Sequence, residues 1–221
     1  MPDVKAKIKV AKDGPYLVSG GVPLVESIIC TDPDSQPHGW KEGRRYPAQD
    51  SYALCRCGQS ATMPFCDGGH VSVGFDGTET AADVPYLEQA MEIGGPGLRL
   101  TDAEAYCARA GFCLRQGGTW KLTRGSADPE ARRTAVEEAC DCPSGRLVAW
   151  EKDSRAIEPE FEPSIGLVRD AQGGHVGPIW VRGGISVESS DGTTYEVRNR
   201  MTLCGCGRSM NKPFCDGGHE E

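Results

Sequence analysis

The chain has 221 residues, of which 38% are hydrophobic, 29 are glycine and 15 are proline; that length can bury a core without staples, but the composition describes short, turn-linked elements rather than one large helical or doubly wound core. With 24 basic against 32 acidic residues the net charge is −8, which argues against nucleic acid and anionic membrane as partners. The eleven cysteines are an odd number and the opening MPDVKAKIKVAKDG lacks an apolar run to serve as a secretory signal, so thiolates held for metal in a reducing cytoplasm are expected rather than disulfides.

Taken in chain order, GPYLVSGGVPL from Gly14 predicts short strands rich in Val and Tyr, broken at Gly20. The stretch CTDPDSQPHGWKEGRRYPAQD from Cys30 is full of turn formers and is expected to be an exposed loop. Cys30 itself reads as a core or strand residue, and His38 as a solvated one. CRCGQSATMPFCDGGH, Cys55 to His70, follows. Two helices are then predicted. TDAEAYCARAGFC opens on a capping box, Thr101 with Glu104, and DPEARRTAVEEAC has Asp128 as cap with Pro129 at the first helical position. EPEFEPS reads as a linker out of this segment, and GPIWVRGGISV from Gly177 repeats the early strand pattern. His175 and the Gly173 pair lie in the intervening turn-rich stretch. Near the end, CGCGRSMNKPFCDGGH, Cys204 to His219, matches the first cysteine motif at eleven of sixteen positions, each ligand-type residue recurring 149 residues later.

The fold class expected is α+β: two small β-rich repeats, forming a pseudo-twofold unit, around a central α-helical insert. The division is residues 1–84, 85–158 and 159–221.

Side chains two apart in an extended segment share a side, so Cys55 and Cys57 can offer two thiolates to one metal. Cys66 precedes a predicted helix start capped by Asp67, and His70 lies four residues later on the same face. Gly68 and Gly69 let the backbone come close with free amides. Zinc on three thiolates and one imidazole and a [2Fe-2S] cluster with two ligands per iron both suit this set. A spacing of one residue between cysteines is unusual for zinc.

The pattern Cys-x-Cys-x2-Ser-x3-Pro-x-Cys-Asp-Gly-x-His at both places resembles the CDGSH iron-sulfur domain family, whose members bind a redox-active [2Fe-2S] cluster by three Cys and one His. The resemblance implies that Cys55 and Cys57 hold the inner iron and Cys66 and His70 the outer one, with Cys204, Cys206, Cys215 and His219 repeating the arrangement. Gly69 and Gly218 stand where the family usually has Ser, Ala or Thr. Single-motif members pair through intertwined strands, so this chain is expected to be a monomer with an internal pseudo-dimer. A neutral imidazole in place of a thiolate raises the potential. It also adds a proton switch near pH ~6.5, so acid is expected to bleach the clusters and His70→Cys or His219→Cys to resist it.

CARAGFC and CDCPSGRL are similar to divergent single-cluster ferredoxin-like domains, though Arg109 stands where such domains often carry His. Cys107, Cys113, Cys140 and Cys142 are the candidate ligands of a third cluster, [4Fe-4S] or [3Fe-4S], with zinc or buried thiols as alternatives. No nucleophile with a base and no paired carboxylates are legible, so no catalytic residue is named and the protein is expected not to be an enzyme. The function expected is single-electron transfer to a redox partner protein; the alternative is cluster storage or transfer to an apo iron-sulfur acceptor. A zinc scaffold is the third reading.

Overall fold

A computed structural model describes residues 5–170 and 176–220; His175 and the Gly173 pair lie outside them. The first copy opens with a hairpin, β1 (Lys7–Val10) and β2 (Tyr16–Ser19). Alternation along KIKV and YLVS turns Ile8, Val10, Tyr16 and Val18 into the core, as a period of two requires. β3 (Leu24–Thr31) leads to β4 (Pro37–Arg45) through a turn in which Asp32 accepts from the amides of Asp34 and Gln36. β5 (Ser51–Leu54) pairs with β2 and runs into Cys55.

The expected exposed loop after Cys30 is therefore corrected: residues 37–45 form a strand antiparallel to β3. β4 is an edge strand with both faces largely exposed, so no apolar alternation marks it, and β3 supplies its backbone partner. Its Trp40 stacks against Trp180 and Phe112, ring centroids 4.6 and 4.9 Å apart.

A short helix α1 (Gly69–Ser72) closes the first cysteine loop, and α2 (Tyr86–Gln89) precedes the insert. The insert holds β6 (Met91–Gly94), β7 (Arg99–Asp102), α3 (Thr119–Arg124), α4 (Pro129–Asp141), β8 (Leu147–Trp150) and β9 (Ala156–Ile157). Its four strands form an antiparallel sheet in the order β6-β7-β8-β9, against which α3 and α4 pack. The helical insert expected from sequence is thus mixed. α4 starts as predicted, with the Asp128 carboxylate accepting from Glu130 N at 2.7 Å and Ala131 N at 3.3 Å. The capping box at Thr101 does not form: Thr101 lies in β7, paired with Val148, and Glu104 opens a short 3-10 turn. Burial of Leu100 and Thr101 in the sheet outweighs a capping preference of about 1 kcal/mol.

The second copy supplies β10 (Ser164–Arg169), β11 (Val176–Arg182), β12 (Ser186–Glu188) and β13 (Arg200–Leu203). The two sheets run β12-β1-β2-β5 and β13-β11-β10-β3-β4. Each copy therefore lends its third strand to the other's sheet: β12 lies parallel to β1 with Ile8 opposite Val187, and β3 parallel to β10 with Leu24 opposite Ile165. A single apolar cluster results, joining Ile8, Val18 and Leu54 to Ile165, Val181 and Leu203. Burying each such side chain contributes about 1.5–3 kcal/mol, and both copies contribute to the same core. Tyr86, Tyr106 and Val148 extend the cluster into the insert. Among the described residues no helix is long and apolar enough to cross a membrane.

Candidate metal centres

Each cysteine motif is a strand, a return and a short helical turn, closed by the same hydrogen bonds. In the first, Cys55 N donates to Pro64 O at 2.8 Å and Cys66 N to Ala53 O at 2.9 Å. In the second, Cys204 N donates to Pro213 O at 2.8 Å and Cys215 N to Thr202 O at 2.9 Å. The motif serine fastens the return: Ser60 Oγ donates to Phe65 O at 2.6 Å and Ser209 Oγ to Phe214 O at 2.7 Å. The motif aspartate bridges it. Asp67 accepts from Ala61 N at 2.7 Å and Gly69 N at 2.9 Å, and Asp216 from Met210 N at 2.7 Å and Gly218 N at 3.0 Å. The residue at the helix cap itself is Gly68 rather than Asp67, with φ +86°, a left-handed conformation that glycine adopts without strain.

These bonds deliver the ligand-type side chains in pairs. Cys55 Sγ and Cys57 Sγ are 3.7 Å apart, Cys204 Sγ and Cys206 Sγ 3.8 Å. Cys66 Sγ lies 3.4 Å from His70 Nδ1, and Cys215 Sγ 3.5 Å from His219 Nδ1. Gly68 N and Gly217 N point at the sulfurs of these last two pairs, Cys66 and Cys215, each at 3.4 Å. The loops carrying the first two cysteines of each motif meet back to back. A Cβ added to Gly58 would stand 2.7 Å from Cys206 O, and one added to Gly207 2.8 Å from Cys57 O. Tyr16, from β2 of the first copy, holds the second motif through its hydroxyl, which lies 2.9 Å from Cys204 O and 3.0 Å from Pro213 O.

The two motifs differ in their surroundings. Cys66 and His70 are half-buried and His70 is followed by exposed Val71 and Val73, whereas Cys215 and His219 are buried. The insert does the covering: a Cβ on Gly217 would fall 2.5 Å from Arg109 Cγ, while one on the matching Gly68 would meet nothing within 4 Å. Arg208 stands where the first motif has Gln59; its Nη2 donates to the backbone oxygen of His219 at 2.8 Å, and its charge lies near Cys206. A hydrogen bond from Cys204, then the Arg208 amide and guanidinium, pull the Cys206 thiol down to about 5. The Cys204 thiol, donating that bond from a buried position, goes up. Burial pushes Cys57 up as well, and Cys215 up to about 12. Sequence reasoning gave Arg208 no role; the signal available was its mismatch with Gln59 inside an otherwise repeated motif.

Of the four insert cysteines the structure brings three together. Cys107, Cys113 and Cys142 line a cavity of about 320 Å³ with Trp120, Arg146 and Glu220. Burial, then the neighbouring Cys142 and Cys107, pushes the Cys113 thiol up to about 12. Arg146 is fixed by Asp102, Nε to Oδ1 at 2.6 Å and Nη2 to Oδ2 at 3.0 Å, and is held against Cys107. Cys140 turns elsewhere, its Sγ 3.7 Å from Ile157 O. Cys30 is half-buried in β3 and His38 exposed on β4. Three thiols lining one cavity differ from the dispersed buried thiols of an ordinary core, although among the described residues no group of three or more Cys, His, Asp or Glu side chains is placed to hold a single metal ion.

These features, with the family matches, point to an iron-sulfur protein. A family model described as iron-binding zinc finger, CDGSH type, matches residues 13–71 and 176–220, and one described as a divergent 4Fe-4S mono-cluster matches residues 93–152. The chain carries two CDGSH-type segments with a divergent 4Fe-4S segment between them. Searches of curated proteins and of solved structures found no match.

Proposed function

We propose that this protein is a single-electron carrier with two [2Fe-2S] clusters, one held by Cys55, Cys57, Cys66 and His70 and the other by Cys204, Cys206, Cys215 and His219. The observation that carries the reading is the spacing inside the ligand pairs. Two thiolates on one tetrahedral metal, each bond about 2.3 Å, stand about 3.8 Å apart, and a thiolate and an imidazole about 3.5 Å. The pairs measure 3.7 and 3.8 Å, and 3.4 and 3.5 Å. Two such pairs per motif suit two metals per motif. A bound [2Fe-2S] cluster supplies reversible one-electron chemistry. The chain's own contribution is to orient the imidazoles by Nδ1 and to aim the Gly68 and Gly217 amides at the outer sulfurs.

Cys107, Cys113 and Cys142 are assigned as thiolates of a third cluster, [4Fe-4S] or [3Fe-4S], and Cys140 is left out because it faces Ile157. The exchange of β3 and β12 between sheets supports a pseudo-twofold unit inside one chain, built from residues 1–84 and 159–221 with 85–158 inserted. On this reading the protein works in the reducing cytoplasm, hands electrons to a partner protein and transforms no substrate itself. A second reading, donation of clusters to apo-proteins, is favoured by one observation, the half-exposed Cys66 and His70 of the first motif.

An anaerobic visible spectrum with iron and acid-labile sulfide counts tests both the class and the number. Four irons with four sulfides per chain are expected from the two duplicated centres, and seven or eight irons with the insert loaded. Colourless protein carrying zinc and no sulfide would overturn the reading.

A further inference from the structure

We infer that Arg208 makes the two duplicated centres unequal, holding the C-terminal one at the higher reduction potential, so that the first electron to enter resides there. The inference rests on the two-cluster reading above and goes beyond it by ordering the centres.

The motifs differ at five of sixteen positions, and three of the differences change charge: Arg56 against Gly205, Gln59 against Arg208, and Met63 against Lys212. Arg208 Nη2 donates to the backbone oxygen of His219 at 2.8 Å and its charge lies close enough to Cys206 to lower that thiol, so a cation sits beside the second motif. Lys212 Nζ donates to Ser209 O at 2.8 Å, on the same loop. Arg56, although it sits in the first motif, sends its buried guanidinium to Gly77 O at 2.6 Å and over the Tyr16 ring at 5.6 Å. Its other contacts, Ala11 O at 3.4 Å and the Phe75 ring at 5.6 Å, are likewise backbone and rings of the first copy, so its charge is taken up there rather than at a ligand sulfur. Asp67 and Asp216 make matching contacts and cancel. Arg109 and Glu220, both beside the second motif, are of opposite sign.

Three thiolates and a neutral imidazole leave a [2Fe-2S] centre negative, and reduction adds one more negative charge. A cation or donor at a ligating sulfur stabilises the reduced form and raises the potential. Burial of Cys215 and His219 acts the other way, because low dielectric disfavours the more negative state. The same low dielectric strengthens the field of a cation in contact. Contact therefore decides the order.

A redox titration with dithionite, which gives up one electron for each centre reduced, followed by low-temperature EPR, reads the two centres. The wild-type protein is expected to show two separate one-electron [2Fe-2S] steps. Arg208→Gln should lower the upper step about tenfold in its reduction equilibrium, or 59 mV for a one-electron couple, and leave the lower step in place. Arg208→Lys, which keeps the charge but loses the planar fork, should recover part of that shift. Gln59→Arg should raise the lower step, and it carries the test if Arg208→Gln fails to load. Coincident steps in the wild type, or an Arg208→Gln shift confined to the lower step, would overturn the inference while a full iron and sulfide count left the cluster reading standing. A missing count would overturn the cluster reading first.

Discussion

The two cysteine motifs share their Cys and His positions, their closing hydrogen bonds and their left-handed glycine, yet the Cys66–His70 pair lies toward solvent and the Cys215–His219 pair is enclosed. The first ends in α1, with Val71 and Val73 exposed beside His70. The second ends in a 3-10 turn, Gly218–Glu220, beneath the insert, where Arg109 lies on Gly217 and Glu220 reaches the Cys107 cavity. Duplication preserved the grip and varied the surroundings. A metal motif thus fixes which metal chemistry is available, whereas the groups packed on it decide access, charge and lifetime.

The widest contrast between the copies concerns the thiols of the metal-free protein. Cys206 is pulled down to about 5, whereas burial raises its counterpart Cys57 above the ordinary thiol value. A depressed group is ionised further down the pH scale than a raised one, so Cys206 carries more thiolate than Cys57 at neutral pH. Iodoacetamide labelling read by peptide mass spectrometry should modify Cys206 faster than Cys57 at pH 7, by less than the ratio of thiolate fractions because a thiolate of lower pKa is the weaker nucleophile. The Cys206 rate should stay flat from pH 6 to 8, while that of Cys57 climbs about tenfold per unit, as the thiolate fraction does. Because access alone cannot change the slope, equal pH dependences at the two positions would refute the assignment.

A smaller contrast concerns release. Cys215→Ser leaves the open centre and Cys66→Ser the covered one, each beside the same insert, so the difference in iron loss between the two variants, read with a coloured ferrous chelator, reports the two centres. The open centre should lose iron about tenfold faster, since local opening at an exposed turn costs less than at a buried one. Arg109→Ala in the Cys66→Ser background should bring the covered centre toward the open rate. Equal rates in the two single variants would remove burial as the cause.

Much of this organisation is legible in the order of the amino acids. The ligand pairs follow from Cys-x-Cys and from Cys and His four apart, because strand and helix periods alone place those side chains together. The start of α4 follows from Asp128 and Pro129, whose effects are local. What escapes such reading is non-local. β4 is a strand because β3 pairs with it, and its own exposed faces carry no alternation. Thr101 is drawn into β7 by Val148, forty-seven residues away. Cys140 and Cys142 are two residues apart at a helix end, so they diverge where a strand would have aligned them. Exchange of β3 and β12 depends on which copy offers the better edge, and no local pattern reports that.

The finest distinction lies between equivalent glycines of the two copies. Gly68 and Gly217 both have positive φ, +86° and +90°, so alanine at either must hold a left-handed backbone, a cost of about 1 kcal/mol. At position 68 the added methyl enters open space; at 217 it would stand 2.5 Å from Arg109 Cγ and 2.7 Å from its Nε. Arginine can swing away, but only by surrendering the cover it provides, so Gly217→Ala should cost a further 1–3 kcal/mol, roughly what overpacking costs elsewhere. Urea unfolding of the two single variants, and of each combined with Arg109→Ala, closes a double-mutant cycle. Coupling should appear at 217 and vanish at 68; coupling at neither position would mean that Arg109 leaves Gly217 at no cost and is not what covers the second motif.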